Sequence, residues 1–234
     1  MKALLALLAA GKLGKFLITG GTMVLSVFTY ALVFGIWYAV GLVALIFLHE
    51  MGHYIAAKNR GLSVGAPTFI PFVGAWIQLK DQPMNAETEA FVGIAGPMLG
   101  SAAALVCYLL AREMDSHLLL ALAYAGFMIN LFNLLPISPL DGGRIVSVIS
   151  PRLWLVGAPL LVGLFLWRPS PLLILIAILA APQVIAVLRG KEHKHPDYYR
   201  TDFGTRISYG FQYLALAGFL SLMAFELHEM LSPA

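Results

Sequence analysis

Charge is what this sequence has least of. Asp, Glu, Lys and Arg together make up 12% of its 234 residues, while 60% are hydrophobic; soluble globular domains carry about 25% charged residues. A water-soluble domain is excluded on that ground, since too few polar side chains remain to cover its surface. Cysteine is all but missing. Cys107 stands alone, which rules out an intrachain disulfide and a thiolate metal cluster, and its apolar surroundings suit a small buried hydrophobe. A large excess of either charge sign is lacking too, and a formal net charge of +3 calls for no nucleic-acid partner.

What the sequence has is a series of apolar runs, near 17–34, 36–57, 90–111, 118–135, 153–167, 170–188 and 209–229. A helix needs about 20 apolar residues to cross a bilayer, and the shorter runs require tilt, extension or a broken helix. The first two runs are continuous, and together they are too long for one crossing. A break near Gly35 puts Trp37 and Tyr38 at a membrane face, where amphipathic aromatics collect. These features predict an all-α polytopic membrane bundle of six or seven transmembrane helices within the lipid bilayer. With the N-terminus in the cytoplasm and seven crossings, all 15 basic residues except Arg112 and Arg168 fall on the inner side. That asymmetry is expected of a multi-pass protein of the cell membrane.

Finer divisions follow from the polar punctuation. Lys12 and Lys15 interrupt the first apolar stretch, so residues 1–16 read as an interfacial amphipathic segment rather than a cleaved leader. Residues 17–188 form the membrane-embedded core, 189–208 a charged cytoplasmic linker and 209–229 a C-terminal transmembrane helix. The segment 67–79 is apolar and aromatic but carries Pro71 and Gly74, which suits a short β-like loop at the interface.

Chemistry enters with L48-H-E-M-G-H-Y54. On a helix, His49 and His53 are four apart and share one face, where both imidazoles reach a single metal ion. Glu50 stands beside that ion rather than on it. This is the zinc-hydrolase arrangement, in which Zn2+ lowers the pKa of bound water and the carboxylate takes its proton. A catalytic zinc takes three protein ligands and keeps one position open. His193 and His195 lie in a polar loop, His117 falls at the opposite membrane face, and His228 has no partner histidine four residues on. Asp141 in N130-L-F-N-L-L-P-I-S-P-L-D-G-G-R144 is the better candidate. Pro136 and Pro139 break the helix there, Gly142 and Gly143 permit close approach, and an intramembrane carboxylate must line a cavity. The alternative is a membrane-edge turn in which Asp141 pairs with Arg144. The same ionisable groups would also suit a metal or proton transporter, against which stands the lack of paired half-repeats with matching broken helices.

Two signatures in order, H49-E-M-G-H53 and N133-L-L-P-I-S-P-L-D-G-G143, with G93-I-A-G-P97 between them, resemble those of the site-2 protease family of intramembrane zinc metalloproteases. The resemblance implies a metalloprotease that cleaves peptide bonds within or at the edge of a transmembrane segment. It implies His49, His53 and Asp141 as zinc ligands, Glu50 as general base and proton donor, and Asn133 as a residue orienting the substrate or its oxyanion. Helix–helix hydrogen bonding is an equally good reading of Asn133, and no motif position distinguishes Asn130. Gly93, Gly96 and Pro97 also suit simple close packing and a kink. Family substrates include single-pass membrane proteins and remnant signal peptides, and the 67–79 segment resembles the family's loop beside the site. The PDZ or CBS domains of many members find no room in these 234 residues, so the resemblance is to the compact type.

Overall fold

The structure is a computed structural model that describes residues 2–65, 67–72, 74–76, 85–190 and 196–232. Among the described residues eight α-helices dominate: α1 (Lys2–Phe34), α2 (Ile36–Asn59), α3 (Ala86–Met114), α4 (His117–Asn133), α5 (Asp141–Ile149), α6 (Trp154–Trp167), α7 (Pro171–Leu188) and α8 (Phe203–Leu231). Five of them are long and apolar enough to cross a membrane, namely 17–34 of α1 together with α2, α3, α7 and α8. The helices α4 and α6 are apolar but shorter.

Local chemistry sets most of the boundaries. Gly35, at φ +83°, separates α1 from α2, a conformation that a side chain would strain. The Asn85 side chain accepts from the Thr88 N–H to open α3, and Ser170 does the same for Leu172, with Pro171 in the first turn of α7. Asp202 caps α8 through Thr205 N–H at 3.0 Å, so this helix begins at Phe203, inside the stretch expected to be a linker. Residues 2–16 belong to the same helix, α1, as 17–34, and α5, D-G-G-R-I-V-S-V-I, is a helix that none of the apolar runs covered.

The interfacial loop contains an antiparallel hairpin of β1 (Thr68–Ile70) and β2 (Gly74–Trp76), with Phe69 opposite Ala75; its continuation over 77–79 lies outside the described residues. The hairpin is fastened to α1. Thr19 Oγ1 donates to the Pro67 carbonyl at 2.7 Å, Phe69 N–H donates to Thr22 Oγ1 at 3.2 Å, and Phe72 N–H donates to the Tyr30 hydroxyl at 3.0 Å.

At the centre, α2 packs on α3, and α3 packs on α4 and α5. Ala90, Ile94, Phe127, Ile145, Leu220 and Leu227 form the main buried cluster. Large apolar side chains such as Leu166, Trp167, Phe203 and Phe211 point outward, as expected of helices solvated by lipid. The segment between α4 and α5 is held from two sides. Tyr213 of α8 donates to the Leu134 carbonyl at 2.7 Å, and Trp154 Nε1 donates to the Gly143 carbonyl at 2.8 Å. Gly142 and Gly143 lie so close to the backbone of Leu134, Ile137 and Ser138 that a Cβ at either would overlap it. That fold-back swings Asp141, the first residue of α5, toward α2.

Candidate metal centre

Helical spacing puts His49 and His53 on the face of α2 that meets α3 and α4, and the fold-back after α4 brings Asp141 to the same point. All three are buried, as is Glu50. The Nε2 atoms of the two histidines are 3.1 Å apart, and each lies 3.2 Å from Asp141 Oδ2. Bond lengths of about 2.0–2.1 Å at a tetrahedral angle place adjacent ligand atoms about 3.3 Å apart, so the spacing fits a tetrahedral cation. Among the described residues, this is the one group of His, Cys and carboxylate side chains so disposed.

Hydrogen bonding behind the rings fixes their tautomers. His53 Nδ1–H donates to the Val92 carbonyl at 2.7 Å and His49 Nδ1–H donates to Asn130 Oδ1 at 2.8 Å. The Asn130 amide cannot be turned over, because its Nδ2 donates to the Gly126 carbonyl at 2.7 Å. With the protons on Nδ1, both Nε2 lone pairs face the Asp141 carboxylate. Three acceptors converge with no donor between them, which is costly in a buried site unless a cation or extra protons occupy it. The donor set therefore fits a divalent metal of zinc's type.

Small residues make this geometry possible. A Cβ on Gly96 would overlap the His53 imidazole, one on Gly52 would overlap the Ala95 carbonyl, and one on Gly100 would overlap the Asn130 amide. The G93-I-A-G-P97 stretch thus gives the His53 ring its space, beyond the close packing that its glycines suggest.

Glu50 follows His49 on α2 and is buried like the three cluster residues. Asn133 is half-buried, and its Nδ2 donates to the Ile129 carbonyl one turn back at 3.1 Å. Asn130 is the amide that touches the cluster. Sequence reasoning missed it because no motif marks it; the one available signal was an amide on an apolar helix, shared by both asparagines. Elsewhere, His117 opens α4, and the His228 ring lies 6.0 Å from that of Tyr124. His193 and His195 lie outside the described residues. Asp141 also faces Arg144, whose Nη1 is 3.7 Å from Oδ1. Outside the spans, burial first and the Glu89 carboxylate second push the Tyr198 phenol well above its usual range, which keeps its proton for the 2.5 Å bond it donates to Glu89.

The family model of peptidase family M50, the site-2 protease family, matches residues 37–116 and 110–154, which include α2 from its second residue, α3 to α5 and every residue of the cluster. The chain belongs to this family. Among its relatives is a protein named zinc metalloprotease MJ0392 of Methanocaldococcus jannaschii, 32% identical over 109 residues, covering 44% of this chain and 31% of that one. Another is the putative zinc metalloprotease Rip3 of Mycobacterium tuberculosis, 30% identical over 116 residues, 46% of this chain and 29% of the relative. A third is the probable chloroplastic zinc metalloprotease EGY1 of Arabidopsis thaliana, 24% identical over 156 residues, 47% and 28% of the two chains. The matched region therefore spans less than a third of each relative's length. Five long apolar helices in a member of family M50 make the chain a multi-pass membrane protein.

Proposed function

We propose that this chain is a zinc-dependent endopeptidase that hydrolyses peptide bonds within or at the edge of transmembrane segments. The observation that carries the reading is the convergence of three ligand atoms, Nε2 of His49 and His53 and Oδ2 of Asp141, with the carboxylate of Glu50 also buried. The names of its relatives, zinc metalloproteases, support zinc as the metal and proteolysis as the class of reaction. The basic residues favour a cell-membrane location with the N-terminus in the cytoplasm. The substrate is a single-pass membrane protein or a remnant signal peptide, whose helix must unwind locally to expose a carbonyl.

Zinc at these three residues would lower the pKa of water and polarise the scissile carbonyl. Glu50 takes the proton from the attacking water on a carboxylate oxygen and returns it to the departing amine nitrogen, so the bond breaks without a free amide anion. Asn130 and the Val92 carbonyl keep both imidazoles in the tautomer that leaves Nε2 open. Asn133, by the family resemblance, orients the substrate or its oxyanion. The hairpin pinned to α1 offers backbone groups against which an unwound stretch can pair.

The test uses the full chain purified in detergent. It should hold about one zinc and cut a transmembrane model peptide, and His49→Ala should lose both. Glu50→Gln should keep the metal and slow turnover by about 10²–10⁴-fold, the usual contribution of acid–base catalysis. Turnover of Glu50→Gln at the parent rate would refute the chemistry. Metal uptake into sealed vesicles without peptide fragments would identify a transporter instead.

A further inference from the structure

A line of side chains leads from the metal cluster to the segment between α7 and α8. Asp141 turns Oδ2 to the histidines and Oδ1 to Arg144, whose Nη1 is 3.7 Å away. Arg144 Nε lies 4.0 Å from Glu89 Oε1 on α3, and Glu89 Oε2 accepts the 2.5 Å hydrogen bond from Tyr198. Tyr198 belongs to a single 3-10 turn, Pro196–Tyr199, and is 9% exposed. Just beyond it, Thr201 Oγ1 donates to the Val148 carbonyl of α5 at 3.1 Å.

We propose that Arg144 is a positioning residue for Asp141, held in place by Glu89 and Tyr198, so that the segment 196–201 governs how well the cluster binds its metal. The inference rests on the reading of His49, His53 and Asp141 as metal ligands. A guanidinium and a carboxylate left to themselves favour a two-pronged pair that uses both carboxylate oxygens. Such a pair would take Asp141 Oδ2 away from the metal. Here Arg144 stands between two carboxylates, 3.7 Å from one and 4.0 Å from the other. Glu89 therefore draws the guanidinium back, leaving Oδ1 to Arg144 and Oδ2 to the histidines. Tyr198 in turn fixes Glu89 by a charge-assisted bond from a buried phenol. Gly93 keeps this corner compact, since a Cβ there would be 3.1 Å from Arg144 Cβ.

The sign of one substitution separates positioning from simple charge. Arg144 is a cation near a cation site, so if it acted only through its field, Arg144→Gln would tighten metal binding. As a positioning residue, its loss should weaken zinc binding 10- to 100-fold, the usual scale for groups that orient metal ligands. The experiment titrates zinc against a chromophoric chelator with the full-length detergent-purified protein and records the visible spectrum of the cobalt-substituted form. Arg144→Gln and Glu89→Gln should both lose affinity and shift the cobalt bands. Tyr198→Phe should lose less in the same direction, and Arg144→Lys should recover part of what Arg144→Gln loses. Unchanged or tighter binding in Arg144→Gln, with the parent's cobalt spectrum, overturns the proposal. If Arg144→Gln does not fold, Glu89→Gln and Tyr198→Phe decide by the same measures. A parent protein that binds no metal overturns both this inference and the proposed function; one that binds zinc and cuts peptide while the variants match it overturns this inference alone.

Discussion

Gly96→Ala is the sharpest test of how the metal centre is built, because it adds one methyl group and no new chemistry. The added Cβ would overlap Nε2 and Cε1 of His53 and lie 2.7 Å from its Cδ2, where ordinary contact begins near 3.4 Å. The ring must retreat by about 1.2 Å at Nε2, its nearest atom, to restore normal packing. That displacement stretches the 2.7 Å bond to the Val92 carbonyl out of hydrogen-bonding range and moves Nε2 off the 3.1–3.2 Å triangle. Overpacking of this kind costs about 1–3 kcal/mol, and the lost bond adds about 1 kcal/mol. Without metal the ring can swing aside, so binding must work against the whole of that strain. At about 1.4 kcal/mol per decade, zinc affinity should fall roughly 30- to 1,000-fold in a chelator competition. Gly218→Ala is the control, since its Cβ would meet nothing within 4 Å, and it should bind zinc like the parent. Parent affinity in Gly96→Ala would refute the account of His53 as a ring held in a slot of fixed size.

Three further outcomes are expected. Asn130→Ala removes the acceptor for His49 Nδ1–H and should lower zinc affinity about 10- to 100-fold by chelator titration, whereas Asn133→Ala should leave affinity unchanged and reveal any substrate role in turnover alone. Trp154→Phe deletes the buried donor to the Gly143 carbonyl and should destabilise the fold by about 2 kcal/mol, lowering Tm by about 4–8 °C in a thermal melt.

Much of the helical layout was legible because its causes are local. Runs of apolar residues gave α2, α3, α4, α6 and α7 to within a few residues, and the excess length of the first run pointed to a break at Gly35, which the structure places at φ +83°. His49 and His53 were legible for the same reason, since helix periodicity alone puts them on one face. Asn130 was not, because its significance lies in a contact with His49, 81 positions away, that no short pattern encodes. Helix α5 was hidden by Pro136, Pro139, Gly142 and Gly143, which read as breakers; the fold uses them to turn the chain back before α5 begins. The start of α8 was missed because the Asp202 cap sits amid charged residues that resemble a solvated linker.

The two imidazoles take their orientation from different helices, His53 from α3 and His49 from α4, while the third ligand lies 88 residues along the chain from His53. A cation seated there would act as a cross-link between α2 and α5 that closes a long loop, and through the hydrogen bonds behind the two rings it would steady α3 and α4 as well. Its affinity is therefore also mechanical strength: stripping it would loosen the whole central layer, and apo protein would melt at a temperature that rises with added zinc.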